Sequence, residues 1–345
     1  MIYKLILKIR NARYRDGRRS ARAAVPTVCV GNITVGGTGK TPHTEMLVRE
    51  LGACPQWADK HIAVLSRGYK RRSKGFQVLP RDASAGTYGD EPAQIKRKYP
   101  DITVAVDKDR VEGCRKLEDA EVIVLDDAYQ YRKLKATMDI VLSDYNRPVS
   151  TDSLLPSGRL RDLKERLYDC DTVIVTKCPG DLTTEEKREA ARILGYGSYD
   201  PSNCRVTRGN VSQTLLFTSI SYEAPVPLFP NTDSRYTYSK KVILFSGVAN
   251  DIPLLKHLSD TYKVVSHRHF PDHHKYSLSD MRSLVAEIKR NPTAAVATTE
   301  KDAVRLLDVK KMPPQLQERL FYIPIKVRFL SEREHEVFTD KLITL

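Results

Sequence analysis

The sequence predicts an α/β protein with a doubly wound, mostly parallel sheet and a second, smaller α/β section. Three observations predict it. Short apolar runs (Val25–Val30, His61–Ser66, Ile102–Val106, Glu121–Asp127) alternate with stretches of helical spacing. A glycine-rich loop joins the first run to the first helix, and the alternation resumes at Lys241 after a stretch rich in Pro, Ser and Thr. Strands that alternate with helices build parallel sheets, because each crossover lays a helix over a sheet face.

The first strand, Val25–Val30, runs into Gly31–Gly39, and Met46, Leu47 and Leu51 then recur at helical spacing. Strand, glycine loop, Lys40-Thr41 and helix make a phosphate cradle. Without Cβ atoms at Gly36, Gly37 and Gly39, backbone N–H groups can turn toward an anion, and Lys40 adds a mobile charge. Thr34, Val35 and Thr38 complete the loop, and the Thr41 hydroxyl is placed to ligate Mg²⁺. The strict Walker A pattern fails at Thr34, where it asks for glycine. The context still identifies a P-loop NTPase-like core.

After the second strand, His61–Ser66, comes a loop with Arg67, Lys70, Arg71, Arg72 and Lys74. It leaves the edge where open α/β sheets bind ligands, so anion contact is expected, with Arg67 foremost. Asp90-Glu91 then open a helix through Tyr99, and spacing alone makes Asp90 a cap. Ile102–Val106 reads as a strand and Asp109–Leu117 as a helix. Glu121–Asp127 (EVIVLDD) is a buried strand that delivers Asp126 and Asp127 to its C-terminal end, where a Walker B acid would hold Mg²⁺. Asp139–Asp144 and Asp171–Thr176 repeat the strand pattern. Between them, Leu154–Arg166 places Arg159, Arg161 and Lys164 either to clamp phosphate or to cover a surface.

Four segments are expected: 1–24, a basic amphipathic and membrane-facing piece; 25–204, the core; 205–240, a β-hairpin linker; and 241–345, the smaller α/β domain. In the last, strands at Lys241–Ser246, Lys263–Ser266, Ala294–Thr298 and Leu320–Ile325 alternate with helices near Asp251–Leu258, Ser277–Lys289 and Lys301–Leu307. Its loop His267–His274 holds half of the eight histidines, next to Asp272. Zinc is conceivable there, although a histidine beside an acid suits proton transfer at least as well.

The chain carries a formal charge of +14. Half of that excess precedes residue 25, from Lys4, Lys8, Arg10, Arg13, Arg15, Arg18, Arg19 and Arg22 against Asp16. A polyanionic partner is implied. Ile2, Leu5, Ile6 and Ile9 sit at helical spacing among these charges, suited either to a membrane interface or to packing on the core. No apolar run approaches the roughly 20 residues of a spanning helix. The six cysteines form no CxxC pair and read as reduced thiols.

Eight blocks in order then give a specific likeness: VGNITVGGTGKTP (Val30–Pro42), SRGY (Ser66–Tyr69), GDEP (Gly89–Pro92), VLDDAYQ (Val124–Gln130), LLPSGRLRD (Leu154–Asp162), FSGVAN (Phe245–Asn250), FPDHH (Phe270–His274) and TEKDA (Thr299–Ala303). On these the chain resembles the tetraacyldisaccharide 4'-kinase family, the lipid A kinases of Gram-negative bacteria. The Thr34 that departs from the general loop pattern is what this family's loop carries. The resemblance implies ATP and Mg²⁺ as cofactors and phosphorylation of the 4'-hydroxyl of a lipid A disaccharide precursor. It also implies an anionic inner-membrane surface, met on the cytoplasmic face by peripheral or N-terminal anchoring, and no nucleic-acid partner. Carried over by motif, Lys40 and Thr41 serve phosphate and metal, and Asp126 and Asp127 the metal. Asp90 and His273 activate the sugar hydroxyl, with Lys40 as the catalytic cation, and Arg67, Arg159, Arg161 and Asp162 face the substrate. The family usually has Glu where this chain has Asp162, and a long hydrophobic anchor where this chain has its short basic piece.

Two other readings share parts of the pattern. An ATPase switch of the partition or metallochaperone type has a similar loop, but its signature lysine is replaced here by Val35. A basic nucleic-acid-binding NTPase would fit the charge, yet the sequence shows no helix-turn-helix or RNP-type signal. Thr299-Glu300-Lys301-Asp302 has only a loose likeness to a guanine-reading motif.

Overall fold

The computed structural model describes residues 2–14 and 17–345; Arg15 and Asp16, counted in the N-terminal charge, lie outside the described residues. The first lobe comprises α1 (Ile2–Ala12), β1 (Thr27–Asn32), α2 (Lys40–Ala53), β2 (Ile62–Ser66), β3 (Gln77–Val78), α3 (Ala85–Tyr88), α4 (Asp90–Lys98), β4 (Thr103–Val106), α5 (Arg110–Lys116), β5 (Val122–Asp126), β6 (Met138–Asp144), β7 (Thr172–Thr176), α6 (Thr184–Ile193), β8 (Ser198–Asp200), β9 (Arg205–Arg208) and β10 (Val211–Tyr222). Its strands lie in the order β3-β4-β2-β5-β1-β6-β7-β10-β9-β8, and the run from β4 to β10 is parallel. β1, β2, β5 and β7 are buried along their whole length. That explains their unbroken Val/Ile/Leu runs, since a parallel sheet is covered on both faces. One apolar cluster, with Cys29, Ile123 and Val173, fills one face; a second, with Val28, Met46, Leu47 and Leu51, fills the other beneath α2.

The second lobe contains β11 (Val226–Pro227), β12 (Lys241–Ser246), α7 (Ile252–Thr261), β13 (Lys263–His269), α8 (Leu278–Arg290), β14 (Ala295–Thr299), α9 (Glu300–Leu306), α10 (Pro314–Gln317) and β15 (Leu320–Ile323). Its five-stranded sheet has the order β11-β15-β14-β12-β13, parallel except for β11.

Two features differ from the expected segments. The hairpin β9–β10 is part of the large sheet, because β10 pairs in parallel with β7. Residues 325–343 also leave the second lobe: β16 (Ile325–Phe329) pairs antiparallel with the far half of β10, and α11 (Glu332–Ile343) buries Phe338 and Leu342 in the α2-side core. Trp57 donates its indole N–H to the Leu342 carbonyl at 2.6 Å. The second lobe therefore lies, along the chain, between two paired strands of the first. Periodicity reports that a segment is a strand, not which sheet it joins.

Candidate active site

The glycine loop sits between β1 and α2, flanked by β5 and β6. Gly36 and Gly39 have φ of 94° and 87°, a backbone region that side-chain-bearing residues rarely adopt. The loop is braced from several sides. Val35 N–H donates to the Arg159 carbonyl (2.7 Å), and Arg161 N–H to that of Ile33 (2.8 Å), so the Leu154–Arg161 segment lies across it. Asn32 donates to the hydroxyls of Thr38 (2.6 Å) and Thr34 (3.2 Å), and Thr176 donates to the Thr38 carbonyl (3.0 Å).

His43, in the first turn of α2, is a further brace. It is buried, with Nδ1 2.7 Å from the Gly39 carbonyl and Nε2 2.9 Å from the Thr218 hydroxyl on β10. The neutral ring satisfies both contacts by donating to the carbonyl and accepting from the hydroxyl. Burial pushes its pKa down to about 4. The sequence carried a signal for it, since a residue four positions after Gly39 faces back along the helix.

The two adjacent carboxylates have distinct surroundings. Asp126 is buried and accepts from Thr44 and Ser66, each at 3.0 Å; burial, then the nearby charges of Asp127 and Glu91, push it up to about 6. Asp127 is more open, accepts from Arg161, and lies 3.8 Å from Lys40 Nζ. Burial opposes its charge, but Lys40 and Arg161 hold the carboxyl below its ordinary value. Burial in turn lowers Lys40, against the pull of Asp127. No group of three or more Cys, His, Asp or Glu with metal-binding arrangement occurs among the described residues.

Asp90 opens α4, but its side chain caps nothing. The carboxylate instead reaches the second lobe, where Oδ2 lies 3.0 Å from His273 Nδ1 and 2.8 Å from Arg305 Nε. Burial opposes ionisation, yet His273 and Arg305 bring Asp90 down to about 2. The spacing-based reading of Asp90 as a helix cap is thereby corrected. Neighbouring Glu91 pairs with Lys301 at 3.2 Å, and Lys98 bridges Glu45 (2.7 Å) to Glu300 (3.1 Å), so both lobes meet along α4 and α9.

The remaining predicted residues divide. Arg161 reaches Asp127 and Asn32, and Arg159 is exposed beside Gly36. Arg67 is exposed at the end of β2, whereas Arg71 and Arg72 are tied to carbonyls of Gly75, Val106 and Gly86 and serve the loop's own shape. Asp162 is fully buried. It accepts from Arg10 (2.6 Å), Asn11 (2.9 Å) and the Leu163 N–H (2.9 Å), and so fastens α1 to the core. Leu7 of α1 is buried, while Ile2, Leu5, Ile6 and Ile9 are exposed, so the reading that packs these four on the core is not what the fold does. No described helix is long and apolar enough to cross a membrane. Thr299 caps α9, and Asp302 accepts the Thr299 hydroxyl and the Gly247 N–H. Sequence reasoning missed Arg305 and His43.

Known proteins share this architecture. The family model described as tetraacyldisaccharide-1-P 4'-kinase matches residues 1–344. Tetraacyldisaccharide 4'-kinases from Porphyromonas gingivalis and Flavobacterium johnsoniae are 39% and 36% identical, over 92% and 97% of this chain and 87% and 92% of their own lengths. The crystal structure of LpxK from Aquifex aeolicus in complex with ATP superposes with a TM-score of 0.72 at 25% identity, covering 100% of this chain and 96% of that one. A whole-chain family match, relatives above a third identical and a common two-lobed fold agree: the chain belongs to the tetraacyldisaccharide-1-P 4'-kinase family.

Proposed function

We propose that the protein transfers the γ-phosphoryl group of ATP to the 4'-hydroxyl of a tetraacyldisaccharide 1-phosphate, a step of lipid A biosynthesis. The observation that carries the reading is the meeting of Asp90 and His273 from different lobes, beside a braced phosphate loop with its acidic pair. Phosphoryl transfer needs positioning and charge neutralisation more than covalent chemistry. Backbone N–H groups of Gly36–Gly39 cradle the β-phosphate, and Lys40 bridges β and γ oxygens. Arg161, now on Asp127, is within reach of the same anionic space. Mg²⁺, when bound, supplies further neutralisation of the phosphates; Thr41, Asp126 and Asp127 would hold it.

Asp90 orients His273 by accepting Nδ1–H, which leaves the Nε2 lone pair to take the proton of the sugar hydroxyl. The first lobe holds the donor and the second brings the base. The exposed Ile2, Leu5, Ile6 and Ile9 on a basic helix suit the anionic cytoplasmic face of the inner membrane, where an acylated acceptor resides. Purified protein incubated with Mg·ATP and tetraacyldisaccharide 1-phosphate is expected to form the 1,4'-bisphosphate. No bisphosphate, with an ATPase activity stimulated by nucleic acid instead, would sink the reading.

A further inference from the structure

Arg305 is a cation whose side chain is only 6% exposed, and all three guanidinium nitrogens are engaged. Nε donates to Asp90 Oδ2 at 2.8 Å, and Nη2 lies 2.7 Å from the same oxygen. Nη1 donates to the Gly247 carbonyl and to Asp302 Oδ1, both at 2.8 Å. Nη2 is also 3.2 Å from His273 Nδ1. Asp302 is itself fixed, because it is fully buried and accepts from Gly247 N–H (2.9 Å) and the Thr299 hydroxyl (2.7 Å). The Gly247 carbonyl that Arg305 grips also accepts the backbone N–H of His273 at 3.2 Å.

One guanidinium thus touches Asp90, the ring of His273 and the carbonyl that seats the His273 backbone. We propose that Arg305 is a positioning residue for phosphoryl transfer, registering Asp90 of the first lobe against the Nδ1 edge of His273 of the second. This rests on the assignment of Asp90 and His273 to the acceptor's proton. A guanidinium has donors and no acceptor, so it cannot take the Nδ1 hydrogen; Asp90 is the acceptor in reach. With that hydrogen on Nδ1, Nε2 carries the lone pair. Arg305 also directs two donors at Asp90 Oδ2, so this oxygen is stabilised as an anion and is poorly suited to take a proton itself. A planar fork is needed for this. Lysine would bring the charge without the simultaneous reach to Asp90, Asp302 and Gly247.

The test compares Arg305→Ala, Arg305→Lys, Asp90→Asn and His273→Ala in steady-state kinetics, with Arg305→Ala repeated in added guanidinium chloride. Arg305→Ala is expected to lower kcat by about 10²-fold while KM for ATP stays within about threefold, the split of a group acting mainly in the transition state. Guanidinium should restore at least about tenfold of the lost kcat, as it returns the missing donors. Arg305→Lys should fall between wild type and Arg305→Ala.

An Arg305→Ala protein with kcat within about threefold of wild type overturns the proposal. So does a folded one that loses activity and is not rescued by guanidinium. If that variant does not fold, Arg305→Lys decides, and a wild-type kcat overturns the proposal. Wild-type turnover in both Asp90→Asn and His273→Ala would instead remove the underlying assignment.

Discussion

Asp90 Oδ2 and His273 Nδ1 stand 3.0 Å apart although 183 residues separate them, and each comes from a different lobe. Neither residue has the other's lobe to rely on in an isolated fragment. Replacing either, Asp90→Asn or His273→Ala, is expected to lower kcat by about 10²–10⁴-fold, the range of a positioned general base and its orienting partner. ATP binding, read by titration calorimetry, should be nearly unchanged in both. Turnover within threefold of wild type would remove the pair from the mechanism.

Asp162 fastens α1, so its loss should be felt at the membrane-facing helix before it is felt in phosphoryl transfer. Asp162→Ala takes the carboxylate from Arg10, itself about a third exposed, and from Asn11, while Arg166 keeps Asp169 at 2.6 Å, so the cost is on the order of 1–2 kcal/mol. Hydrogen exchange should show α1 amides opening much faster. Replacing Ile2, Leu5, Ile6 and Ile9 together by Ser should weaken sedimentation with anionic vesicles by at least tenfold, leaving turnover on a detergent-dispersed acceptor near wild type. Undiminished vesicle binding would mean that another surface carries the attachment.

His43 makes the phosphate loop sensitive to acid. Its folded pKa of about 4 lies below the value of 6.5 for a free histidine, so the unfolded chain takes up a proton first as pH falls. The contribution is fully present above pH 6.5 and is lost on the way down to pH 4. Between pH 7.5 and pH 5 this single residue removes about 2 kcal/mol of stability. His43→Gln, which retains one donor and one acceptor, should lose about that much less over the same interval in urea denaturation. Parallel pH profiles for the two proteins would refute the assignment.

Gly31 tests how tightly the strand before the loop is packed. A Cβ built there would lie 2.5 Å from the Cβ of Tyr129 and 3.2 Å from its backbone nitrogen. These are not flexible side-chain ends, so the segment after β5 must shift. Gly31→Ala is expected to cost about 1–3 kcal/mol, as overpacking does, and to disturb the adjacent Asp127. A lowered melting temperature together with weaker ATP binding is the expected result.

What the sequence made legible was local. The strand, the glycine loop and Lys40 are contiguous, and EVIVLDD announces both a buried strand and the acids at its end. Asp90 was not legible from spacing, because an acid in the first helical turn has a sufficient explanation in the helix dipole. Only the family resemblance paired it with His273. Arg305 gave no sign, since an arginine near the end of a short helix reads as a solvated charge, and its burial depends on two carboxylates that folding brings to it. The tie from Asp162 to α1 was not legible either: its motif neighbours Arg159 and Arg161 lie along the loop, and its partners Arg10 and Asn11 lie 152 and 151 residues earlier. The destination of β16 depends on a pairing with β10 more than 100 residues earlier, which no window of periodicity contains.

That pairing has a mechanical consequence. The second lobe hangs from a two-stranded ribbon, formed where Tyr222 of β10 lies opposite Ile325 of β16. Such a ribbon resists sliding, because a one-residue shift in register would turn every side chain to the wrong face. The pairing therefore fixes where the chain enters and leaves the second lobe, and with it the place from which His273 is held against Asp90. The link between the lobes of this kinase is a piece of its own sheet.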